Sequence, residues 1–361
     1  MPRWAGPPPL LIAVTVLGIL VAPAVSRADA SPHREQATFV SAAPSTPSTP
    51  SPSSTPEATS EPAGPATTES TGDPDPEPTP DPTPDPKPDP KPDPKPAITP
   101  QSVGVVSFNQ YRDLSPTASL RDALAITARP GVSIVGWQEG YAAGPVYQRL
   151  AEKGWATKRY VARKGMRELA VSWRRSQFAL VGSAIHKVVN GVGQGNGRYP
   201  FGDRYALRVT LRDRATGERI SVINTHAPQG VENLDEPGTW RTTKNATRAH
   251  RQLKRLVDIW DAAPGRWVVG TGEYNVDAHA EARVRTAGGI HDTLAGTATS
   301  SYSLLGFGSV LPTHPYSKRY VDYVHVSQSA LDRGRIEVTG QRTFSGLNSD
   351  HRPLLVWMQL S

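Results

Sequence analysis

Residues Trp267 to Asp277 read WVVGTGEYNVD, and this stretch indicates both a buried strand and a set of polar groups at its end. Three apolar residues lead into Gly270 and Gly272, and the acid Glu273 and the amide Asn275 follow two positions apart. Alternate side chains of an extended chain point the same way. The stretch therefore predicts a buried strand that presents two oxygen-bearing side chains together as it leaves the sheet.

Seven further apolar runs around this stretch have the length and composition of strands. With Trp267 to Gly270 they are Val103 to Phe108, Val132 to Trp137, Leu169 to Trp173, Tyr205 to Leu211, Ile220 to Thr225, Val321 to Ser327 and Leu354 to Gln359. Two helices are predicted, over Leu120 to Ala128 and Thr242 to Trp260, the second with an apolar stripe and a basic outer face. Many strands and few helices favour an α/β fold in which two sheets pack on each other with helices outside.

The charges divide the chain in two. Residues 1–100 carry 6 Lys and Arg against 12 Asp and Glu, whereas residues 101–361 carry 34 against 21. Residues 1–30 are predicted to be an export signal, because Arg3 precedes the apolar run Leu10 to Ala22 and small residues follow it. Residues 31–100 are rich in Pro, Ser, Thr and Asp and predict a disordered spacer. We therefore expect a secreted domain over 101–361, or a surface-tethered one if the signal is uncleaved.

The second part of the chain has no cysteine, so its own core must hold the fold without disulfides. About 260 residues are sufficient for one such domain. Its excess of basic residues favours a polyanionic partner such as nucleic acid, although basic composition alone is also compatible with a role in solubility.

Polar side chains lie at the ends of the predicted strands, where a rigid sheet can position an exposed group. They are Asn109, Glu139, His226, Glu273, Asn275, Asp322, Asp350 and His351. Carboxylate and amide oxygens suit Mg²⁺, which leaves coordination positions for water and phosphate, and histidines can contact phosphate or exchange protons. Taken singly, Asn109 could be a turn residue, Glu139 a helix-start acid and His226 a core histidine. Their joint order favours a shared functional site over these separate explanations.

The order of five motifs resembles the endonuclease/exonuclease/phosphatase superfamily, which includes DNase I, abasic-site endonucleases, sphingomyelinases and inositol phosphatases. The motifs are SFN at Ser107 to Asn109, QE at Gln138 and Glu139, NTHAP at Asn224 to Pro228, KRYVDYV at Lys318 to Val324 and SDHRP at Ser349 to Pro353. The resemblance implies a single four-layer α/β sandwich from about Val103 to Leu360, with two mostly antiparallel or mixed sheets between helices, and metal-assisted hydrolysis of a phosphodiester.

The resemblance also implies roles for individual residues. Asn109 and Glu139 would bind a divalent metal, Mg²⁺ with Mn²⁺ or Ca²⁺ as alternatives, and Asp350 would support the metal or its water shell. His226 would contact the scissile phosphate or protonate the leaving oxygen. His351, oriented by Asp322, would be a general base or a phosphate ligand. Asn275 would hydrogen-bond the phosphate or orient the nucleophilic water.

Glu273 departs from the family pattern, which has Asp, Phe, Asn where this chain has Glu273, Tyr274 and Asn275. The extra methylene moves the carboxylate by roughly an ångström, a displacement that can cost about a hundredfold in rate unless the backbone compensates.

The sequence leaves three interpretations of the function: a secreted nuclease acting as a monomer on DNA or RNA, a sphingomyelinase-like phosphodiesterase acting on membrane lipid head groups, or a binding domain with impaired catalysis. An apolar loop, Ser303 to Leu311, is the feature that favours the lipid alternative.

Overall fold

The computed structural model describes residues 99–193 and 202–361. The predicted export signal and the spacer up to residue 98 lie outside the described residues, so the division of the chain into signal, spacer and domain stays a prediction. Within the described ranges, no helix has the length and apolar character needed to span a membrane.

Twelve strands in the described part of the chain form two sheets of six strands. The first sheet has the order β11-β12-β1-β2-β4-β3 and the second the order β5-β6-β7-β8-β10-β9. The strands of the first sheet are β1 Gln101–Asn109, β2 Val132–Gln138, β3 Trp155–Arg159, β4 Ala170–Arg174, β11 Ile336–Thr343 and β12 Leu354–Leu360. Those of the second are β5 Phe178–Val189, β6 Arg204–Asp213, β7 Arg219–His226, β8 Trp267–Glu273, β9 Ala298–Ser300 and β10 Asp322–Ser327.

Helices cover the outer faces of the sheets. They are α1 Pro116–Thr127, α2 Gly144–Glu152, α3 Lys164–Arg167, α4 Lys244–Asp261, α5 Ala278–Val284, α6 Ile290–Leu294, α7 Ser301–Leu305 and α8 Gln328–Asp332. One apolar cluster joins α1 and α2 to the first sheet, and a larger one fills the space between the sheets and extends beneath α4. The predicted α/β sandwich is therefore confirmed, with helices and two mixed sheets as its layers.

Both predicted helices are present, and each starts at a capping side chain. Ser115 accepts a hydrogen bond from the Ala118 amide at 3.2 Å ahead of α1, and Thr243 accepts one from Ala246 at 3.2 Å ahead of α4. The apolar stripe of α4 is buried as expected. Arg248 is also buried, and its guanidinium donates to the carbonyls of Asn190 and Gly202.

Polar side chains join the two sheets at the end where the site residues lie. Gly136 faces Thr271 so closely that a Cβ at position 136 would stand 1.9 Å from the threonine hydroxyl. Asn224 of β7 donates to the carbonyls of Trp137 and Ala170 in the first sheet, at 2.8 and 3.0 Å. Since both groups of each bond are buried, the contact is costly to break. It fixes the strand ends of the two sheets relative to each other.

Candidate active site

The predicted site residues of both sheets meet at one end of the sandwich, where strands of both sheets begin or finish. β2 runs parallel to β1, and β8 runs parallel to β7, so their carboxyl ends lie together. β4, β10 and β12 run antiparallel to these neighbours, so their amino ends reach the same edge. In the second sheet, Glu273 is in register with His226 on one side and with Asp322 on the other. The topology thus gathers residues that are far apart in sequence.

His226 pairs with a carboxylate that the sequence analysis missed. Its Nδ1 lies 3.0 Å from Oε2 of Glu168, and the Glu168 carboxylate also accepts two hydrogen bonds from Nη1 of Arg204, at 2.7 and 2.9 Å. The Tyr141 hydroxyl donates to Glu168 at 3.0 Å. Glu168, buried and ahead of β4, therefore holds the His226 ring in a fixed orientation.

Opposing effects set the pKa values of Glu168 and His226. Burial raises the pKa of Glu168, but Arg204 and His226 outweigh burial and lower it to about 2. Burial and the Arg204 charge lower the pKa of His226, and the carboxylates of Glu273 and Glu168 more than offset them, so the net shift is upward. His226 therefore has a carboxylate at each ring nitrogen, and these two carboxylates raise its pKa.

Glu273 uses its length to reach both sheets. Its Oε2 accepts a hydrogen bond from Nδ2 of Asn109 at 2.5 Å and lies 3.1 Å from Nε2 of His226. Gly272 permits the close pairing of β8 with β7 next to this acid, because a Cβ there would stand 2.7 Å from the Thr225 carbonyl oxygen. Burial raises the pKa of Glu273, while the charges of His226 and His351 act in the opposite direction. The longer acid thus lies among the polar groups of the site.

Asp322 and His351 form a second carboxylate–histidine pair, as the resemblance implies. Nδ1 of His351 lies 2.7 Å from Oδ2 of Asp322, and both side chains are buried. Burial lowers the pKa of His351, but the carboxylates of Asp322 and Glu273 raise it to about 10. The pair therefore holds a proton on the imidazole at neutral pH, with Nε2 free of the Asp322 contact.

Two site residues adopt a left-handed backbone conformation that costs non-glycine residues about 1–2 kcal/mol. Glu139 has φ 55° and Asn275 has φ 60°. The Glu139 carboxylate accepts a hydrogen bond from the Arg112 amide at 3.1 Å. The Asn275 carbonyl accepts one from Nη2 of Arg319 at 2.8 Å, and Arg319 is paired with buried Glu232. Such strain persists only where surrounding contacts hold it, and here it lies in the site.

Asn275 and Asp350 lie beside different histidines of the site. The Asn275 amide nitrogen donates to the Ala227 carbonyl at 3.2 Å and lies 3.4 Å from Nε2 of His226. Asp350 lies instead beside His314 and His351, and its Oδ1 is buried without a hydrogen-bond partner among the described residues. The structure thus groups Asn275 with His226, and Asp350 with His351.

A divalent cation fits the donor groups that the structure brings together. One ligand atom each of Glu139, His226 and Glu273 lie within 4.8 Å of one another, and all three side chains are buried. A buried group with two carboxylates suits a hard cation. Asn109, the other predicted ligand on the first sheet, lies beside it, with its Oδ1 2.7 Å from the Tyr111 amide.

No sequence family model matches the chain, and no curated protein matches its sequence. Solved structures do match its fold. An endonuclease/exonuclease/phosphatase from Bacteroides vulgatus has a TM-score of 0.53 and 16% identity, covering 72% of this chain and 100% of that one. D. rerio TDP2 complexed with a single-strand DNA product has a TM-score of 0.53 and 14% identity, covering 71% and 98%.

An endonuclease/exonuclease/phosphatase family protein from Bacteroides thetaiotaomicron is similar at a TM-score of 0.50 and 16% identity, covering 73% of this chain and 97% of that one. Each of these three neighbours is covered almost completely by the described domain. The chain therefore has the DNase I-like fold of the endonuclease/exonuclease/phosphatase superfamily.

Proposed function

We propose that this chain is a divalent-metal-dependent phosphodiesterase whose substrate is nucleic acid. The observation that carries the proposal is the convergence of two carboxylate–histidine pairs, Glu168–His226 and Asp322–His351, on one buried acid, Glu273. Two imidazoles held by carboxylates in this way supply oriented N–H groups for an anionic phosphoryl group.

Glu139 and Glu273 would hold the cation, with Asn109 beside them. The bound ion would supply Lewis-acid polarisation of a phosphoryl oxygen. The protein's own contribution is positioning and charge. Because the pKa of His351 is raised to about 10, its Nε2 carries a proton at neutral pH. The two roles implied for His351 are general base and phosphate ligand. A protonated ring suits the role of phosphate ligand.

Nucleic acid is favoured by the charges next to the first pair. A cavity of about 460 Å³ opens beside Tyr141 and Arg204 and is lined by the cationic residues Arg112, Arg163 and Lys164. Cationic groups that flank a phosphodiester site raise affinity for a polyanion in a salt-dependent way. The structural neighbour that holds a single-strand DNA product supports this choice of substrate, because it places nucleic acid on the same fold.

A lipid phosphodiester is the second candidate, and one observation favours it. In the segment Ser303 to Leu311, which was predicted as a loop but begins in α7, the side chains of Leu304, Leu305 and Leu311 are exposed, whereas Phe307 and Val310 pack inward. Exposed leucines on one loop can enter a membrane interface. One half of this segment is therefore exposed, and the other half packs on the core.

The test uses the full chain with plasmid DNA, RNA, sphingomyelin vesicles and bis(p-nitrophenyl) phosphate, each with Mg²⁺, Mn²⁺ or EDTA. We expect metal-dependent turnover of nucleic acid that weakens as salt rises. Turnover of sphingomyelin alone would support the lipid candidate. Absence of any metal-dependent turnover would leave the impaired binding domain as the correct interpretation.

Glu139→Gln is the decisive variant for the metal. We expect the fold to be retained and metal-dependent activity to be lost, because a neutral amide attracts a divalent cation far less than a carboxylate does. Glu281→Gln is the matched control, since Glu281 is a buried glutamate that instead accepts hydrogen bonds from the backbone of α6. Unchanged Mn²⁺ affinity in Glu139→Gln, measured by calorimetry, would contradict the assignment.

The location of the protein rests on the amino-terminal sequence alone. We propose export through the signal at residues 1–30 and action outside the cell as a monomer. Fractionation of the native host, with amino-terminal sequencing of the exported chain, measures both the location and the cleavage. Retention of the full chain in the cytoplasm would be inconsistent with this proposal.

A further inference from the structure

A third histidine, His314, reaches the site on a short turn between α7 and β10. His314 and Arg319 form a β-bridge that closes this turn. Just before it, the Thr313 hydroxyl accepts hydrogen bonds from the amides of Val321 and Asp322, at 2.9 and 3.1 Å. The Thr313 carbonyl accepts one from the Arg352 amide at 2.6 Å. The base of the turn is therefore fixed to both segments that carry the Asp322–His351 pair.

The His314 ring lies against the pair. Its centroid is 4.9 Å from that of His351, and the rings meet edge to face at 66°. Its Nε2 lies 3.9 Å from Oδ2 of Asp350, which is too far for a hydrogen bond. The His314 side chain is 27% exposed, so a ligand bound at His351 could reach it.

The hydrogen bonds of His314 identify its tautomer. The Ser317 amide donates to Nδ1 at 3.3 Å, and the Ser317 hydroxyl lies 2.6 Å from the same nitrogen. A backbone amide can only donate, so Nδ1 must be an acceptor without a proton. The neutral ring then carries its proton on Nε2, where no described residue accepts it. His314 thus presents an unused N–H group next to His351.

This tautomer excludes two other roles for His314 as it stands in the structure. A metal ligand needs a free lone pair, but the lone pair of Nδ1 is engaged by Ser317 and Nε2 carries the proton. A general acid must lose its proton, but loss from Nε2 while Nδ1 stays unprotonated would leave an imidazolate. A neutral imidazole with this arrangement can still donate a hydrogen bond to a developing negative charge.

We propose that His314 is a further catalytic residue, whose Nε2–H donates a hydrogen bond to a non-bridging oxygen of the phosphate held at His351. This role rests on the proposed phosphodiesterase function and deepens it. No proton is transferred and no bond to His314 forms. The neutral donor would stabilise the charge that builds on the equatorial oxygens during displacement.

The test compares His314→Phe, which keeps an aromatic ring against His351, with His314→Gln, which restores an N–H donor. We expect kcat to fall about 10- to 100-fold in His314→Phe, at the lower end of the loss of one transition-state donor, because the site is partly open to water. KM and Tm should change little, and His314→Gln should recover part of kcat. His186→Phe on β5 is the matched control.

Two substrates separate hydrogen bonding from proton donation. The loss in His314→Phe should be equal for a dinucleotide and for a p-nitrophenyl ester of thymidine monophosphate, because the proposed contact is not to the leaving group. A loss confined to the poorer, alkoxide leaving group would overturn the proposal in favour of a general acid. A drop in Mn²⁺ affinity in His314→Phe would overturn it in favour of a metal ligand.

Failure of the proposed function is measured separately. If the wild-type chain hydrolyses no phosphoester, the phosphodiesterase assignment fails, and inorganic phosphate then serves as the probe of His314. Weaker phosphate binding by His314→Phe than by wild type and His186→Phe, measured by calorimetry, would support the contact. Equal phosphate affinity in all three proteins would overturn it.

Discussion

Glu168–His226 and Asp322–His351 are both carboxylate–histidine pairs, with Nδ1 to oxygen distances of 3.0 and 2.7 Å, but their surroundings differ. The first pair includes a buried arginine, Arg204, on the carboxylate. The second has no arginine on Asp322 among the described contacts, and Oδ1 of Asp322 is buried without a partner. The same two side-chain types are therefore placed in unlike electrostatic environments.

The difference shows how one added cation, Arg204, acts on the pKa of both members of a carboxylate–histidine pair. Despite burial, Arg204 and His226 together hold the pKa of Glu168 at about 2, and Arg204 at the same time opposes the charge on His226. Without such a competitor, the carboxylates of Asp322 and Glu273 raise the pKa of His351 to about 10. In the first pair, Arg204 therefore opposes protonation of the His226 ring.

The largest effect is expected when both pairs lose their imidazole. His226→Ala and His351→Ala should each lower turnover about 10²- to 10⁴-fold, and the double variant should be little worse than the poorer single one. Residues that act on one transition state fail as a unit, so this result would show that the two pairs share a substrate. Losses that multiply in the double variant would show separate sites. Steady-state kinetics with Mg²⁺ measures all three variants.

Glu273 lies between the pairs, and Glu273→Asp tests whether its length matters. We expect turnover to fall about tenfold or more, because the shorter acid cannot keep Oε2 on both Asn109 and His226. Glu281→Asp shortens a buried carboxylate outside the site and is the control. An increase in activity would show that the natural chain is impaired, and no change would place Glu273 outside the catalytic groups.

Arg204→Met should make the first pair resemble the second. Without the guanidinium, burial is no longer offset as strongly, so the pKa of Glu168 should rise from about 2, and the pKa of His226 should rise further. NMR titration of the His226 ring measures the shift in its pKa. We expect kcat to fall several-fold because the ring is held less firmly, which corresponds to a rise of roughly 1 kcal/mol in the activation free energy. Arg208→Met on the same strand is the control. An unchanged His226 titration would remove Arg204 as the cause of the difference.

The smallest effect concerns stability at high pH. The pKa of His351 is raised from an ordinary value near 6.5 to about 10, so the Asp322–His351 pair stabilises the fold fully below pH 6.5 and loses this contribution as pH rises through about 10. Urea unfolding of wild type and His351→Gln in EDTA, from pH 6 to 11, should show a difference in unfolding free energy that shrinks from about pH 6.5 and is lost above about pH 10. A constant difference would contradict the raised pKa.

The eight strands predicted from the sequence are all present, and the four that it missed share one property. They are β3, β5, β9 and β11, the outermost strands of the two sheets. Interior strands such as β2 and β8 are buried along their full length, so they read as continuous apolar runs. An edge strand is partly exposed, as in β5, and its mixed composition gives no such run. Apolar runs alone therefore find the interior of a sheet and miss its edges.

The candidate site was predicted for similar physical reasons, and with a similar gap. Polar residues at the ends of the apolar runs indicate Asn109, Glu139 and His226 after a strand, and Asp350 and His351 before one. Glu168 precedes β4 and Arg204 begins β6, and both strands are antiparallel to a neighbour whose carboxyl end carries a site residue. Their amino ends therefore lie at the same edge. Which of the charged residues at strand ends face this site depends on strand direction, and the sequence pattern does not provide it.

The turn from His314 to Arg319 has a consequence for engineering substrate range. Arg319 holds the carbonyl of Asn275, while His314 stands beside His351, so one short surface segment touches residues of both histidine groups. Its tip contributes little to the core, since Tyr316 is 82% exposed. Substitutions at Tyr316 should therefore change the stability of the fold little, because surface loops generally tolerate sequence variation. A library confined to Tyr316 would sample changes in activity with few losses to unfolding.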